Sequence, residues 1–490
     1  MLKLSGMDRR TLLSTGTLAA AATFSRPDTA LAAPAGLSDL AIVRQALDLH
    51  PGLYRYQSPR QFERNFAAFT EAWGSAPDRA EKFLALSRLT AQVRCGHTQC
   101  NPFNQSGAVV ADLFNRPTRL PFAFRWVADQ MIVTGDSGVQ TGIACGSVIE
   151  RLNGTAPPVL LAALLAYARA DGSNDAKRRA QLEMRGDEQF ETFDIYQGLL
   201  FPPGPAGHAI QWRDPAGCRH RAVLPAIGYA ARKGLLPADP AGDQPLWTWQ
   251  IDPAGIATLT MPTWVTYQGS WDWQAWLHER LTSLAGAKGL VIDIRQNEGG
   301  TDCGSFILQH LIGQTVHPLR YVSRVRFREV PTQLMPYFDT WDRSYRTLGK
   351  NAADLGDGFY ELPGDEDETA IAPFAANAPL VRVPVAVLMG PINSSATFSF
   401  VRRVQETRVA RLFGGPSGGN RRGINGGAMF FVRLPDSGLE FDLPLKGYFP
   451  ALPQPDAPVY PDVPISLTAQ DIAQRRDPEM LAARRWIARG

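Results

Sequence analysis

Cysteine is scarce in this chain: five residues in 490, at positions 95, 100, 145, 218 and 303. So few, and an odd number, exclude a disulfide scaffold. Cys95 and Cys100 flank His97, but no second ligand pair follows at close spacing, which argues against a structural metal site. The two thiols are left as a local disulfide or a buried pair. No sequence repeat is present, and beyond the N-terminus no apolar run approaches the ~20 residues that span a membrane. An excess of one charge is missing too. Fifty Lys and Arg stand against 47 Asp and Glu, a net +3, with no long basic or acidic block. Such a surface has no general attraction for nucleic acid or anionic membrane.

What is present is globular composition, 44% hydrophobic and 20% charged, over a length that suits two to four domains. Residues 1–32 read as an export signal of the twin-arginine type. Arg9-Arg10 precede the mildly apolar stretch Thr11 to Phe24, and Ala30-Leu31-Ala32 supplies a small-residue cleavage site. The expected location is periplasmic or otherwise outside the cytoplasm.

Apolar residues fall at helical spacing from Leu37 to about Val93, with a break at Pro51-Gly52, so residues 33–118 are expected to form a helical N-terminal domain. Residues 119–236 change character. Pro121 to Gly135 alternates as strands do, Gly146 to Leu152 is strand-like before an Asn153-Gly154 turn, and Pro157 to Ala170 reads as a helix with proline at its start. A hairpin is expected from Ala209–Trp212 and His220–Leu224. The Pro-, Gly- and Asp-rich stretch Pro237 to Gln244 reads as a linker. Beyond it, buried strands (Ile256–Met261, Leu290–Arg295, Val383–Met389, Val409–Phe413) alternate with helices (Trp273–Leu284, Gly304–Ile312, Ser395–Glu406). That alternation implies an α/β fold with a largely parallel sheet covered on both faces.

Three segments carry candidate chemistry. In VAVLMGPINSSATFSFV a buried strand runs through a turn into a helix, with Ser394 and Ser395 at the junction. The helix N-terminus offers free N–H groups and positive potential, which favour an alkoxide and an oxyanion. Serine is also among the best N-cap residues, and on this segment alone the cap is the simpler reading. In LVIDIRQNEGGTD a second strand ends at Gly299-Gly300, where glycine lets the backbone present an N–H to a ligand or merely makes a tight turn. Asp293 and Arg295 are expected to pair. In VRCGHTQC, His97 is the one histidine of seven in a short polar turn between two cysteines. A general base must come within hydrogen-bond reach of its serine, and a lone histidine is more often structural.

Taken together, these segments resemble the serine peptidase family of tail-specific (C-terminal-processing) proteases, in its branch with the tricorn core and interphotoreceptor retinoid-binding protein. "LVIDIRQNEGG" is similar to that family's strand and glycine turn, "INSSATF" to its nucleophile turn, "VARLFGGPSGG" to the following G-x-P turn, and "YPDVPI" to its closing P-D motif. "CGHTQ" resembles the D-G-H-T turn of the tricorn-like branch. The resemblance implies a crotonase/ClpP-like βα superhelix for residues 237–490 and a degenerate PDZ-like module for residues 119–236. It implies Ser395 as nucleophile, His97 as general base, and the N–H groups of Ala396 and Gly300 as oxyanion hole. Asp456, shortly before the P-D motif, is the candidate third member and reads equally as a solvated loop acid; Asp462 reads as structural. Neither metal nor organic cofactor is required, and the expected partner is a peptide or protein substrate.

The departures are specific. The lysine of the tail-specific Ser–Lys dyad aligns with Asn420, and Arg421 or Arg422 cannot replace it because guanidinium does not deprotonate near neutral pH. Cys95 stands where the D-G-H-T turn has its acid, and Glu298 replaces a usual glycine. These departures give weight to a ligand-binding protein on a peptidase scaffold. An esterase or other acyl hydrolase using the same serine is the other alternative. Six tryptophans between Trp247 and Trp276 read as core packing rather than as a substrate wall.

Overall fold

The computed structural model describes residues 36–236, 242–363, 370–375 and 378–489. The proposed signal, residues 1–32, and most of the proposed linker lie outside the described residues. The helical start is as expected. Asp39–Asp48, Pro59–Ser75 and Arg79–Gln92 are helices, each opened by a side-chain cap from Ser38, Ser58 or Asp78. Phe62, Phe69 and Trp73 recur at helical spacing on the buried face of the second.

These helices do not pack alone. A hairpin that the sequence reading did not anticipate, Met429–Arg433 with Glu440–Pro444, comes back from late in the chain and bridges to them at Gln99 and Asp442. One hydrophobic core therefore joins Ile42, Phe83 and Leu89 with Phe124, Val325, Phe338, Phe430 and Phe441. The middle region is a five-stranded antiparallel sheet in sequential order: Phe122–Val127, Gln130–Asp136, Val148–Leu152, His208–Arg213, Arg219–Leu224. The helix expected to reach Ala170 stops at Leu164. The chain then turns through Arg169 and Asp171 into a short helix, Asp175–Gln181, capped by Asn174.

The second half holds the parallel sheet. Val463–Pro464, Arg411–Gly414, Val385–Met389, Gly289–Asp293 and Ile256–Thr260 run parallel, and Thr248–Ile251 closes one edge antiparallel. Val385–Met389 is buried at every residue and Gly289–Asp293 at all but the last, as a strand covered on both faces must be. One face packs on helices Trp273–Thr282, Cys303–Leu311 and Ser395–Thr407, and the other on the C-terminal helix Pro478–Ala488. Arg295 pins that last helix, binding Asp293, Asp477 and Glu479 at 2.5–2.7 Å. Trp264 is fully buried against Phe400, while Trp271, Trp273 and Trp276 pack edge-on around buried Trp247. Among the described residues no helix is long and apolar enough to cross a membrane.

Candidate active site

Strands Gly289–Asp293 and Val385–Met389 are neighbours, and the turns leaving their carboxyl ends are stitched together by two buried asparagines. Asn393 Nδ2 donates to the carbonyls of Ile294 and Asn297, the latter at 2.9 Å, and its Oδ1 accepts from Gly390 N at 2.7 Å. Asn297 Nδ2 donates to Met261 O at 2.8 Å, and its Oδ1 accepts from Gly299 N at 2.9 Å. In open α/β sheets the carboxyl ends of the strands are where ligands bind.

Ser395 enters the helix with φ +52°, a left-handed conformation that costs a non-glycine residue on the order of 1 kcal/mol or more. Its side chain is only half-buried. Neither serine behaves as a cap. Ser394 holds the N-cap position without a side-chain bond to the helix. Its Oγ instead accepts from Lys177 Nζ at 2.6 Å and donates to Glu298 O at 3.2 Å. The capping reading of this segment is thus overturned: buried Ser394 is fully engaged elsewhere, and Ser395 is held in a strained, accessible position.

The glycine turn fits against this junction. Gly299 and Gly300 have φ of +126° and +132°. A Cβ on Gly299 would lie 2.9 Å from Ser395 Cβ and 3.1 Å from Ala396 N, and one on Gly300 only 2.4 Å from the main chain of Trp264. Both positions require glycine for conformation and for space. While Gly299 N is spent on Asn297, the N–H groups of Gly300 and Ala396 make no hydrogen bond among the described residues.

His97 lies in the turn after helix Arg79–Gln92. Gly96 N donates to Asp171 Oδ1 at 2.9 Å, and Arg169 donates to Gly96 O. Cys95 Sγ accepts from His97 N at 3.4 Å; Cys95 and Cys100 are both free, so they are two buried thiols and not a disulfide. The ring is 8% exposed, and its Nδ1 is buried without a hydrogen-bond partner. Burial first, then the Arg169 and Lys177 cations, push the imidazole down to about 4, with Glu298 and the main chain at Asn425 pulling the other way. The neutral form, which can accept a proton, is therefore the resident one at neutral pH.

Lys177 comes from the helix Asp175–Gln181 and is completely buried. Its Nζ binds Glu298 Oε1 at 2.6 Å, and Arg169 approaches the same oxygen at 3.3 Å. Although burial opposes it, Arg169 and Lys177 hold the Glu298 carboxyl well below its usual range. Burial likewise pushes the Lys177 ammonium down from its usual range, and Glu298 beside it pulls it back up. Its hydrogen bonds go to Glu298 and Ser394 and not to Ser395, which separates it from the lysine of a Ser–Lys dyad.

Asp456 is not joined to His97 by a hydrogen bond. Its carboxylate accepts from Ser173 N at 3.0 Å, Ser173 Oγ at 2.9 Å and Asn420 Nδ2 at 2.7 Å. Burial works against its charge, but those bonds hold it below the usual carboxylate range. It secures the turn Asp171–Asn174, whose Asp171 in turn holds Gly96 next to His97. Asp462 caps the strand edge at Leu412 N, 2.8 Å, a structural task. Arg169, Asp171 and Lys177 were missed in the sequence. Arg169 falls at the end of the expected helix and the other two in the stretch after it, which was given no element, and their partners are more than 70 residues away; no local signal marks them.

Residues 255–450 match the family model described as Peptidase family S41. Similar solved structures include mature CPAF complexed with lactacystin, at 14% identity and a TM-score of 0.57, covering 92% of this chain and 96% of that one. Mature CPAF alone gives 14%, 0.56, 92% and 95%. The photosystem II D1 C-terminal processing protease gives 13%, 0.40, 89% and 97%. No curated protein matches the sequence.

Proposed function

We propose that the chain is a serine-type peptidase with a core like that of peptidase family S41, and that it hydrolyses peptide bonds through an acyl-enzyme on Ser395, with His97 as general base. One observation carries this reading: a strained, accessible serine stands beside two unspent backbone N–H groups, those of Gly300 and Ala396. In the proposed cycle His97 accepts the Ser395 proton as Oγ attacks the peptide carbonyl. The oxyanion gathers the two N–H groups, His97 returns the proton to the leaving amine, and water then cleaves the ester with His97 again as base. Asp456 contributes at one remove, by fixing the turn that carries Asp171 and so the His97 loop.

The mature protein acts outside the cytoplasm after export by residues 1–32, and the antiparallel sheet of residues 119–236 serves as a PDZ-like module. Its edge strand Arg219–Leu224 offers a peptide a place for strand addition. The parallel sheet is the core of a crotonase/ClpP-like superhelix. A fluorophosphonate probe tests the chemistry. Labelling of the wild type that is lost in Ser395→Ala and falls sharply in His97→Ala supports the mechanism, whereas a folded wild type that never labels points to ligand binding. Cleavage of esters but not peptides would assign an esterase.

A further inference from the structure

The middle module and the peptidase core meet at one buried ammonium. The helix Asp175–Gln181 is docked by its cap residue: Asn174 Nδ2 donates to Ser417 O at 2.8 Å and to Gly419 O at 3.1 Å. The Lys177 stem passes Gly418, where a Cβ would sit 2.9 Å from its Cδ. Its Nζ then reaches both turns of the site at once, Glu298 on the glycine turn and Ser394 on the nucleophile turn, each at 2.6 Å. Glu298 immediately precedes Gly299-Gly300, and Ser394 immediately precedes Ser395.

We propose that Lys177 is a positioning residue of the active site, clamping the glycine turn and the nucleophile turn into one frame from a helix of the neighbouring module. A simple packing lysine would not be fully buried and shared between the residue before the nucleophile and the residue before the glycine turn. Burial of an ammonium is costly unless it is paired and hydrogen-bonded. Here the two acceptors are those whose separation sets the spacing of Ser395 from Gly300. The inference rests on the peptidase reading for its catalytic consequence, but its geometry and electrostatics are independent of that reading.

The clamp also has an electrostatic signature, because the groups acting on His97 are Arg169, Lys177 and Glu298, with the Asn425 main chain beside it. Removing the Lys177 cation leaves Glu298 less compensated and raises the His97 pKa. Removing the Glu298 charge leaves two cations unopposed and lowers it. A general loosening of the fold would expose the ring and move both variants the same way, toward 6.5.

The test uses Lys177→Met and the isosteric Glu298→Gln in the full chain, with thermal unfolding to confirm folding. Fluorophosphonate inactivation of Lys177→Met should slow on the order of 10²-fold in its maximal rate, as for a misplaced reacting group, with probe affinity little changed. In a Ser395→Ala background, NMR titration of His97 (assigned with His97→Asn) should move upward in Lys177→Met and not upward in Glu298→Gln. Inactivation within threefold of wild type, or His97 moving upward in both variants, overturns the proposal. If Lys177→Met does not fold, Glu298→Gln decides: slowed inactivation without an upward His97 shift supports the clamp, and wild-type inactivation refutes it. If the wild type itself is never labelled, the peptidase reading falls, and the clamp is judged on the His97 titrations alone.

Discussion

Gly299→Ala is the sharpest local perturbation of the site. The new methyl would stand 2.9 Å from Ser395 Cβ, 3.0 Å from Ser394 O and 3.1 Å from Ala396 N, where ordinary Cβ contacts lie at 3.4–4 Å and almost none fall under 3.0 Å. It cannot yield by rotating, and the atoms it meets are backbone or a Cβ. The φ of +126° adds strain of about 1–3 kcal/mol for any L side chain. Relief must come from parting the two turns. Losing one oxyanion donor costs on the order of 10²–10³ in rate, and a 1 Å misplacement of reacting groups about 10². The variant is therefore expected to fold, with a melting temperature lowered by a few degrees, and to react with fluorophosphonate at least ~10²-fold more slowly. Gly154, also at positive φ (+80°) but with nothing within 4 Å of its added Cβ, controls for strain without crowding. Reaction of Gly299→Ala within threefold of wild type would refute the assignment of this turn to the site.

Other expectations follow from the same geometry. The labelling rate should fall on acidification through about pH 4 rather than 6.5, since protonating His97 removes the base and its pKa in the fold is depressed; a limb at 6.5 would mean an exposed histidine. Asp456→Asn should slow labelling less than about tenfold if Asp456 acts through the Ser173 turn, against about 10⁴ for an acid bonded directly to the base. Arg295→Ala leaves Asp293, Asp477 and Glu479 without their common partner and should cost about 2 kcal/mol in denaturant unfolding, with the active-site turns intact. Gly74→Ala, exposed in helix Pro59–Ser75 with no atom near the added methyl, should stabilise by about 0.5–1 kcal/mol and leave labelling unchanged.

Much of the parallel sheet was legible because its signals are local. Short apolar runs rich in valine and isoleucine, such as LVIDI and VAVLM with glycine or proline beside them, read as strands buried on both faces, and Gly299-Gly300 and Ser394-Ser395 mark the turns that leave them. The N-terminal helices were readable from apolar spacing and the Pro51-Gly52 break. The hairpin Met429–Arg433 with Glu440–Pro444 was not. It is buried on both faces within a core it shares with helices more than 330 residues earlier, so it shows no alternation. At the site, Ser395, Gly300 and His97 lie in recognisable turns, whereas Lys177 sits in an ordinary-looking polar helix, DAKRRAQ, and only the fold reveals that its side chain is fully buried. The cap reading of Ser394 failed for a related reason: capping is a local preference, and a distant ammonium competes for the same oxygen.

The central claim, that Ser395 is an activated nucleophile, is tested most directly by peptide mapping of the protein after reaction with a fluorophosphonate. The account predicts a single adduct on Ser395, with Ser394 unmodified because its hydroxyl is buried between Lys177 and the Glu298 carbonyl. An adduct on Ser394, or a folded protein with no adduct, would contradict it.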